Sequence, residues 1–470
     1  MTRDSTAKVS TWALLAYALP TFQTSLVQGT AGSAVPTLYA TDFGLSLTLI
    51  GTVVLISRVF DAFVDPMVGY LSDHTRTRLG RRKPWVIGGS LLTLIATYYL
   101  FIPPAHPSFS YFLLWYMGIY LGWSFSEIPH SAWGFEITRD YDERSRLFAF
   151  RIFMLTAGSV GFLLLPLLPI FKTTAITPET LRFAAYAVVI TLPLAVAAAV
   201  IWAPTGVPVE KKSEYNFMEL VSIIRGNKPL GLFLAGFLPY GFGNGMFGAL
   251  AFLYFADYLG IPTYLIYLFI VLHGATLVFL PLVPAIVKRF GKHQTWAISI
   301  GIGLAILPLI LLVPHGKPAF IPLLLLFIPI GFSNALSSVA PLSAFGDVVD
   351  FDTLKTGKKR AATYSALFTL LYKLNLAVGG AVAFMIVGLA GYHPKAANTP
   401  GAILGLKIAF IVAPTLINAA AVFFVWKFPL DRRRQAIVKR RLELLEGRRA
   451  AAERASAATP VEAGSVTVRV

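Results

Sequence analysis

Ionisable side chains interrupt several long apolar stretches of this 470-residue sequence. A charge inside a segment that crosses a lipid bilayer is costly, so each such residue is a candidate functional group. The candidates are Arg58, Asp61, Asp65, Glu127, Arg151 and Lys373. The same charges could instead form a salt-bridge network that only fixes helix packing, although buried ion pairs are poor sources of stability.

Arg58, Asp61 and Asp65 lie in one of these stretches. Their spacing of three and four residues places them near one face of an α-helix. Two carboxylates on one face repel each other unless a cation or a proton lies between them. The spacing therefore predicts a cation site at Asp61 and Asp65, with H+ or Na+ as the candidate ions and Arg58 offsetting one charge.

The composition indicates which elements must position these residues. Hydrophobic residues make up 56% of the chain and charged residues only 13%, against about 25% charged residues in soluble domains. Because a membrane-spanning helix needs roughly 20 apolar residues, we expect an all-α membrane protein with twelve transmembrane helices. The predicted spans are 12–40, 44–72, 84–102, 110–138, 147–171, 181–203, 229–257, 261–287, 295–314, 319–345, 362–390 and 403–427.

The formal charge of +17 is unevenly distributed between the loops. Lys and Arg are concentrated in the loops at 73–83, 139–146, 204–228, 288–294 and 346–361. The alternate loops hold only Lys172, Arg182, Lys317 and Lys395. The positive-inside rule places the first set in the cytoplasm. Both termini then lie in the cytoplasm. The excess of basic residues is explained by the orientation of the chain in a plasma (inner) membrane, so it does not indicate a nucleic-acid partner.

An internal repeat divides the chain. The segment from Arg78 to Trp85 resembles the segment from Arg289 to Trp296, 211 positions later. The Asp-aromatic-Asp triplet at Asp140 recurs at Asp350, and Arg151 and Gly158 have the same spacing as Lys373 and Gly380. These matches predict two pseudo-symmetric six-helix bundles, which is the architecture of the major facilitator fold. The predicted boundaries are 1–203, a cytoplasmic linker at 204–228, 229–427 and a basic cytoplasmic tail at 428–470.

The repeat also predicts an asymmetry. Alignment of the two loops maps Asp61 near Leu272 and Asp65 near Thr276, so the eighth span has no carboxylate there and only His273 is ionisable nearby. We therefore expect one cation site in the chain. The tail has a partial apolar stripe, which could lie on anionic lipid or belong to a solvated, partly disordered segment.

A basic loop follows the second span. Its charges could pair with carboxylates at neighbouring helix ends and bias the state that is closed towards the cytoplasm, or they could only enforce orientation. Single surface pairs contribute about 0–1 kcal/mol, so only a network would matter. The predicted network consists of Arg58, Asp73, Arg76, Arg78, Gly80, Arg81, Arg82 and Asp350.

These motifs together resemble a known family. The run from Arg58 to Gly69, the loop from Asp73 to Trp85, the triplet Glu127-Ile128-Pro129 and the segment from Asp347 to Phe351 are similar to the glycoside–pentoside–hexuronide:cation symporters. The resemblance implies that Asp61 and Asp65 bind the coupling cation and that Ser124 completes the site. It also implies that Glu127 and Arg151 contact sugar, and it matches Lys373 to the lysine of the eleventh span.

The sequence also departs from that family. The first span has no acid and carries Gln23 in the corresponding stretch, so Gln23 is a further candidate for substrate binding. Val64 replaces an amide beside the second cation acid, and His130-Ser131 replaces an aromatic residue after Glu127. Because Val64 supplies no cation ligand, the expected coupling ion shifts from sodium towards protons.

We therefore expect a secondary transporter that carries a sugar, glycoside or related polar solute together with a cation by alternating access. An amphipathic lysolipid is an alternative substrate, and a non-transporting membrane protein that kept the fold is a second alternative. No nucleophile–base pairing or metal cluster is evident, so we expect neither an enzyme nor a cofactor. The expected partners are a small-molecule substrate and the lipid bilayer, and the expected state is a monomer.

Overall fold

The structure, a computed structural model, describes residues 9–138, 140–206, 227–357 and 360–458. Throughout these ranges the regular elements are helices. In the first half they are α1 (Thr11–Thr41), α2 (Leu47–His74), α3 (Lys83–Phe101), α4 (Phe109–Ile137), α5 (Tyr141–Leu164) and α6 (Pro178–Trp202). In the second half they are α7 (Lys228–Tyr258), α8 (Leu265–Phe290), α9 (Lys292–Leu312), α10 (Lys317–Thr356), α11 (Ala361–Leu389) and α12 (Pro400–Trp426), and the tail forms α13 (Arg432–Ala458).

Capping residues explain where several helices begin. Ser108 accepts a hydrogen bond from the Tyr111 backbone N–H at 3.1 Å, and Asn227 accepts one from the Leu230 N–H at 3.1 Å. Thr177 and Thr180 form a capping box at the start of α6. These side chains satisfy backbone donors that have no partner in the first helical turn. The helix starts are therefore encoded locally.

Within the described ranges, ten helices are long and apolar enough to cross a membrane. The remaining two long helices of the bundles, α1 and α4, have 31 and 29 residues, which exceeds the roughly 20 residues that a span needs. Their mean hydropathy is lowered by Ser, Thr and Gly in α1 and by Trp and Tyr in α4. These small polar and aromatic residues provide contacts to neighbouring helices, as described below.

Two predicted loops are largely helical. The predicted loop at 346–361 is wrong, because α10 continues to Thr356 and ends where Gly357 adopts a left-handed conformation with φ 71°. The predicted loop at 139–146 is also mostly helix, since α5 begins at Tyr141. Charged residues do not stop a helix, whereas a glycine at the C-cap does. Asp350 therefore lies on the last turns of α10.

The two halves repeat the same helix packing. In the first half, α1 contacts α5 and α6, α2 contacts α4, and α3 contacts α4 and α6. In the second half, α7 contacts α11 and α12, α8 contacts α10, and α9 contacts α10 and α12. Each pair recurs six helices later. Between the halves, α2 contacts α11, α1 contacts α7 and α5 contacts α8, which is the pattern that a two-fold pseudo-axis requires.

Glycines permit the closest helix crossings in both halves. A Cβ atom on Gly158 would lie 2.1 Å from the Phe22 carbonyl oxygen, so α5 and α1 are in backbone contact there. A Cβ atom on Gly379 would lie 2.2 Å from the Phe242 carbonyl oxygen, between α11 and α7. The equivalent glycine is thus Gly379, one residue before the predicted Gly380. When Gly158 is aligned with Gly379, Lys373 is equivalent to the residue after Arg151 and not to Arg151 itself.

We call the end of the bundle with the α2–α3, α8–α9 and α10–α11 loops the basic end, and the other end the opposite end. The halves are joined at the opposite end. Lys395 Nζ lies 2.8 Å from Asp42 Oδ1, and the Thr174 hydroxyl donates to the Thr263 carbonyl oxygen at 2.7 Å. A Cβ atom on Gly388 would lie 2.4 Å from the Thr48 backbone nitrogen, so α11 and α2 also touch there.

The tail begins as an ordered helix at the basic end. Helix α13 packs against α10, Val438 is buried, and an Arg432 guanidinium nitrogen donates to the Lys288 carbonyl oxygen at 3.1 Å. The stretch around Val438 is therefore a helix that packs on α10, and the lipid-bound and the solvated, partly disordered tail both stay predictions. Residues 459–470 of the predicted tail and residues 207–226 of the predicted linker lie outside the described residues.

Candidate functional site

One face of α4 contacts the ionisable residues of α2, α5 and α11. Tyr120, Ser124, Glu127 and Ser131 recur every three or four residues, and Trp123 flanks them. Residues at this spacing share one helix face. The α4 stripe, meaning these five residues, positions the charged cluster described below.

Asp65 accepts hydrogen bonds with both of its carboxylate oxygens. The Ser124 hydroxyl donates to Oδ1 at 2.6 Å, and Lys373 Nζ donates to Oδ2 at 2.8 Å. Lys373 also lies 4.3 Å from the centroid of the Trp123 ring, a distance at which an ammonium group is attracted to the ring face. Because Lys373 belongs to α11, this ion pair crosses from one half of the molecule to the other.

Asp61 is the more enclosed of the two carboxylates. Arg58 donates to its Oδ2 at 3.2 Å, and the guanidinium carbon of Arg58 lies 3.7 Å from the Tyr120 ring centroid. Asp61 Oδ1 is buried and has no hydrogen-bond partner among the described residues. A buried polar atom without a partner is costly, so this oxygen is suited to hold a proton or to bind a cation.

Arg151 and Glu127 form the third ion pair of the cluster. One guanidinium nitrogen donates to Glu127 Oε1, and another donates to the Ser131 hydroxyl at 3.3 Å. Both side chains are mostly buried. The pair lies one helical turn from Ser124 along the α4 stripe, so it is separated from Asp65 only by that turn.

The cluster is balanced in charge. Arg58, Arg151 and Lys373 face Asp61, Asp65 and Glu127 in three ion pairs. Carboxylate and hydroxyl oxygens suit hard cations, and Asp61, Asp65 and Ser124 supply such oxygens. A cation bound there would compete with Lys373 for Asp65, because both would use the same carboxylate.

Gln23 and His130 have different environments from that cluster. Gln23 is half-buried on α1, and its side chain makes no hydrogen bond to another described residue. His130 is buried, its Nε2 lies 2.8 Å from the Tyr17 carbonyl oxygen, and the Tyr17 hydroxyl donates to the His130 carbonyl oxygen. His130 thus joins α4 to α1 in a structural contact, whereas Ser131 faces Arg151.

A separate network stabilises the basic end of the first half. Glu136 Oε1 accepts from Arg81 at 2.7 Å and from Arg82 at 2.7 Å. Arg82 also donates to the Ser72 hydroxyl at 2.7 Å and to Asp73. The turn before it has Gly80 at φ 93°, a conformation that glycine adopts without steric cost.

The second half contains an equivalent ion pair. Lys292 Nζ lies 2.6 Å from Asp347 Oδ1. Lys292 and Asp347 follow Arg81 and Glu136 by the same 211 positions that relate the two loops. Gly291, at φ 95°, likewise repeats the backbone of Gly80. The duplication therefore preserved both a glycine turn and the ion pair beside it.

Several residues of the predicted network do not belong to it. Arg58 lies in the charged cluster, because the separation of fifteen positions between it and Asp73 corresponds to about 22 Å of α-helix. Arg76 and Arg78 are exposed and form no ion pair with a described residue. Asp350 lies on α10 near Lys292 and Lys439, away from the Glu136 network. Glu136 itself was not predicted, although its 211-residue relation to Asp347 was available in the sequence.

Comparison with known proteins gives the family. The family described as MFS/sugar transport protein matches residues 16–432. The uncharacterized symporter YjmB of Bacillus subtilis is 26% identical over 409 residues, covering 82% of this chain and 85% of the relative. The glucuronide carrier protein homolog of Escherichia coli is 26% identical over 419 residues, covering 85% of this chain and 89% of the relative.

A solved structure shares the fold. The crystal structure of the nucleoside transporter NupG matches with a TM-score of 0.65 at 13% sequence identity, covering 90% of this chain and 100% of the NupG chain. The paired helix contacts of the two halves agree with this likeness to a major facilitator transporter. The family match extends over most of the chain, from the first helix of one bundle to the last helix of the other. The chain therefore belongs to the MFS/sugar transport protein family.

Proposed function

We propose that this protein is a symporter that couples the entry of H+ or Na+ to the transport of a sugar, glycoside or related polar solute. The observation that carries the proposal is the position of Asp65, which accepts from Ser124 within its own half and from Lys373 of the other half. Membership of a sugar-transport family and the similarity to proteins named symporters support the same function.

Coupling follows from competition for Asp65. A cation bound by Asp61, Asp65 and Ser124 displaces Lys373, because a carboxylate already neutralised by one cation attracts a second one less. Loss of the ion pair weakens the attachment of α11 to α2. Cation binding is thereby linked to the relative movement of residues 1–203 and 229–427, which we propose as the two moving units.

Arg151 and Glu127 are the proposed substrate contacts in this mechanism, with Gln23 as a further candidate on α1. A guanidinium and a carboxylate side by side offer both donors and acceptors to hydroxyl groups. Lys373, once released from Asp65, becomes a further donor beside the Trp123 ring. The cation thus prepares the site for its substrate, and the coupling is a free energy shared by the two ligands.

The remaining assignments are part of the same proposal. The positive charges of the basic end favour a cytoplasmic position for that end and for both termini. The opposite end, where Lys395 and Asp42 meet, then faces outwards and is closed in this structure. We propose a monomer in the plasma (inner) membrane that acts without cofactor, nucleic acid or catalytic activity.

The test is uptake by right-side-out and inverted vesicles, with a panel of sugars and with sodium and pH gradients imposed separately. Asp61→Asn and Asp65→Asn should abolish accumulation against a gradient while allowing exchange. Asp431→Asn is the matched control, because Asp431 caps α13 at the surface and Asn caps a helix equally well. Accumulation by either cluster variant would contradict the proposed cation site.

A further inference from the structure

A cavity between the halves is separate from the charged cluster. It has a volume of about 370 Å³, which lies within the range of about 300–1,000 Å³ that is typical of small-molecule sites. Helices α7, α8, α9, α10 and α12 form most of its wall, and Ser33 of α1 and Ser159 of α5 close the side towards the first half. Ser159 follows Arg151 by eight residues, so the edge of the cavity at Ser159 lies about 12 Å further along α5 towards the opposite end.

The polar side chains of the cavity wall are almost all uncharged. Asn244, Asn334 and Asn418 contribute carboxamides from three helices, and Tyr240 and Ser299 contribute hydroxyls. Carboxamides and hydroxyls both donate and accept hydrogen bonds, as the hydroxyl groups of a sugar do. Phe247 and Phe269 provide ring surfaces in the same wall. The chemistry matches a neutral polyhydroxylated ring better than an ion.

Asn418 provides an independent indication of a ligand. The residue is 6% exposed, and its Oδ1 has no hydrogen-bond partner among the described residues. A buried acceptor of this kind lowers stability unless a partner reaches it. The amide is reachable because Gly243, which also lines the cavity, has no side chain: a Cβ atom there would lie 3.0 Å from Asn418 Oδ1.

His273 completes the polar wall. Its Nδ1 lies 2.8 Å from the Phe269 carbonyl oxygen and donates to it, because a carbonyl oxygen can only accept. The other nitrogen, Nε2, makes no hydrogen bond to a described residue and is left for a ligand. Asn244 uses one N–H on the Tyr240 carbonyl oxygen at 2.8 Å, which leaves its second N–H and its carbonyl oxygen for a ligand.

We infer that this cavity is a subsite for an uncharged sugar ring, held by the carboxamides of Asn244 and Asn418 and by His273. The inference rests on the proposed transport function and adds the residues of the second half that hold the ligand and the absence of charge on the sugar ring. Sugar hydroxyls satisfy Asn418 Oδ1, and the aromatic rings cover the apolar face of the sugar. The subsite belongs to the second half, whereas Asp65, Glu127 and Arg151 belong to the first. A ligand that contacts both the subsite and the charged cluster therefore joins the two halves.

The experiment measures ligand binding to the purified full chain in detergent by ligand-induced thermal stabilisation, without any ion gradient. The probes are methyl β-D-glucoside, methyl β-D-xyloside and the anionic methyl β-D-glucuronide. We expect a neutral glycoside to bind and Asn418→Ala to weaken its binding at least tenfold. Gly243→Ala should weaken it similarly, because the added methyl group covers the Asn418 amide without removing a polar group.

Asn375→Ala is the matched control, because Asn375 is as buried as Asn418 but bonds to the Phe237 carbonyl oxygen outside the cavity. The affinity of the Asn375→Ala variant for the neutral glycoside should remain within twofold of the wild-type affinity. Binding of the glucuronide alone, or unchanged affinity in both cavity variants, overturns the subsite. If those variants bind normally while Asp65→Asn still loses accumulation, the subsite fails and the transport proposal stands. If wild-type protein neither binds nor accumulates any probe, both fail.

Discussion

Lys373 illustrates how one residue can serve two roles in the charged cluster. Its ammonium group pairs with Asp65 and lies over the Trp123 ring, and both partners belong to the half of the molecule opposite to α11. The pair is partly exposed, with 29% of the Lys373 side chain accessible. Another cation can therefore replace Lys373 beside Asp65, because neither side chain of the pair is fully buried.

We expect Lys373→Met to increase the apparent affinity for the coupling cation about tenfold. Removal of a competing positive charge next to Asp65 favours any other cation there, and one pKa unit corresponds to about 1.4 kcal/mol. The measurement is the cation concentration, or pH, that gives half-maximal uptake. Lys172→Met, a change at an exposed loop lysine, is the control. Weaker cation binding in Lys373→Met would show that Lys373 helps to build the site rather than competing for it.

A second prediction concerns Arg151. Arg151→Lys should weaken substrate binding about tenfold, because one ammonium group cannot hold Glu127 and Ser131 in the fork geometry of a guanidinium. Cation affinity should change by less than twofold, since Asp61 and Asp65 are untouched. The two affinities are measured separately. Substrate is titrated at a saturating cation concentration, and the cation is titrated at a saturating substrate concentration. Equal losses in both titrations would contradict the division of roles.

The sequence predicted much of this cluster at the level of single residues. Charged groups in apolar segments are conspicuous, so Asp61, Asp65, Glu127, Arg151 and Lys373 could be selected from one sequence. Tyr120 and Trp123 could not, because aromatic residues are abundant in membrane helices and nothing in their type indicates a neighbouring cation. Their contacts depend on the rotation of α4, which is set by its packing against α2 and α3.

At the scale of helices, Glu136 joins α4 to the α2–α3 loop through two arginines. Glu136→Gln should lower stability by about 1–3 kcal/mol, the cost of leaving a buried charged partner incompletely satisfied. Asp347→Asn should cost less, because the Lys292 side chain of the equivalent pair is 31% exposed. Apparent melting temperatures in detergent test the order, with Glu443→Gln at an exposed position of α13 as control. Equal shifts for both variants would refute it.

Helix ends were predicted less well than helix existence. The starts of α4, α6 and α7 follow from capping residues that are visible in the sequence. The run of charged residues before Gly357 predicts a loop, whereas α10 continues through it to Thr356. Those residues are compatible with a helix that extends beyond the bilayer, and the signal that stops it is Gly357.

For the whole molecule, the helix contacts agree with a duplicated chain, yet the chemistry of the halves differs. Leu272 is buried, and the Thr276 hydroxyl donates to the Leu272 and Gly331 carbonyl oxygens. These residues, aligned with Asp61 and Asp65, thus serve packing between α8 and α10. The single cation site remains a prediction, and a Hill coefficient clearly above one for the cation would contradict it.

The absence of cysteine allows the movement of the halves to be followed. A single cysteine at Ser33, in the cavity wall, should react with a maleimide from the opposite end only when that end opens. Asp42→Asn, which removes the Lys395 ion pair, should raise the labelling rate by at most about fivefold, since exposed pairs contribute about 0–1 kcal/mol. Asp431→Asn in the same background is the control. A decrease in labelling would contradict the role of this pair in closure.

Lys395 attaches to the two halves by different parts of the same residue. Its backbone N–H donates to Asp257 Oδ1 at 3.0 Å, and its φ of 57° turns the chain so that the side chain reaches Asp42. Tyr392 donates to the other Asp257 oxygen, and burial together with that carboxylate keeps the pKa of the Tyr392 hydroxyl well above its usual value. The backbone of this loop therefore stays bound to Asp257 at any physiological pH, while the Lys395 side chain can separate from Asp42. Because only the Lys395 side chain of this loop has to leave the first half, opening the opposite end requires no refolding of the loop.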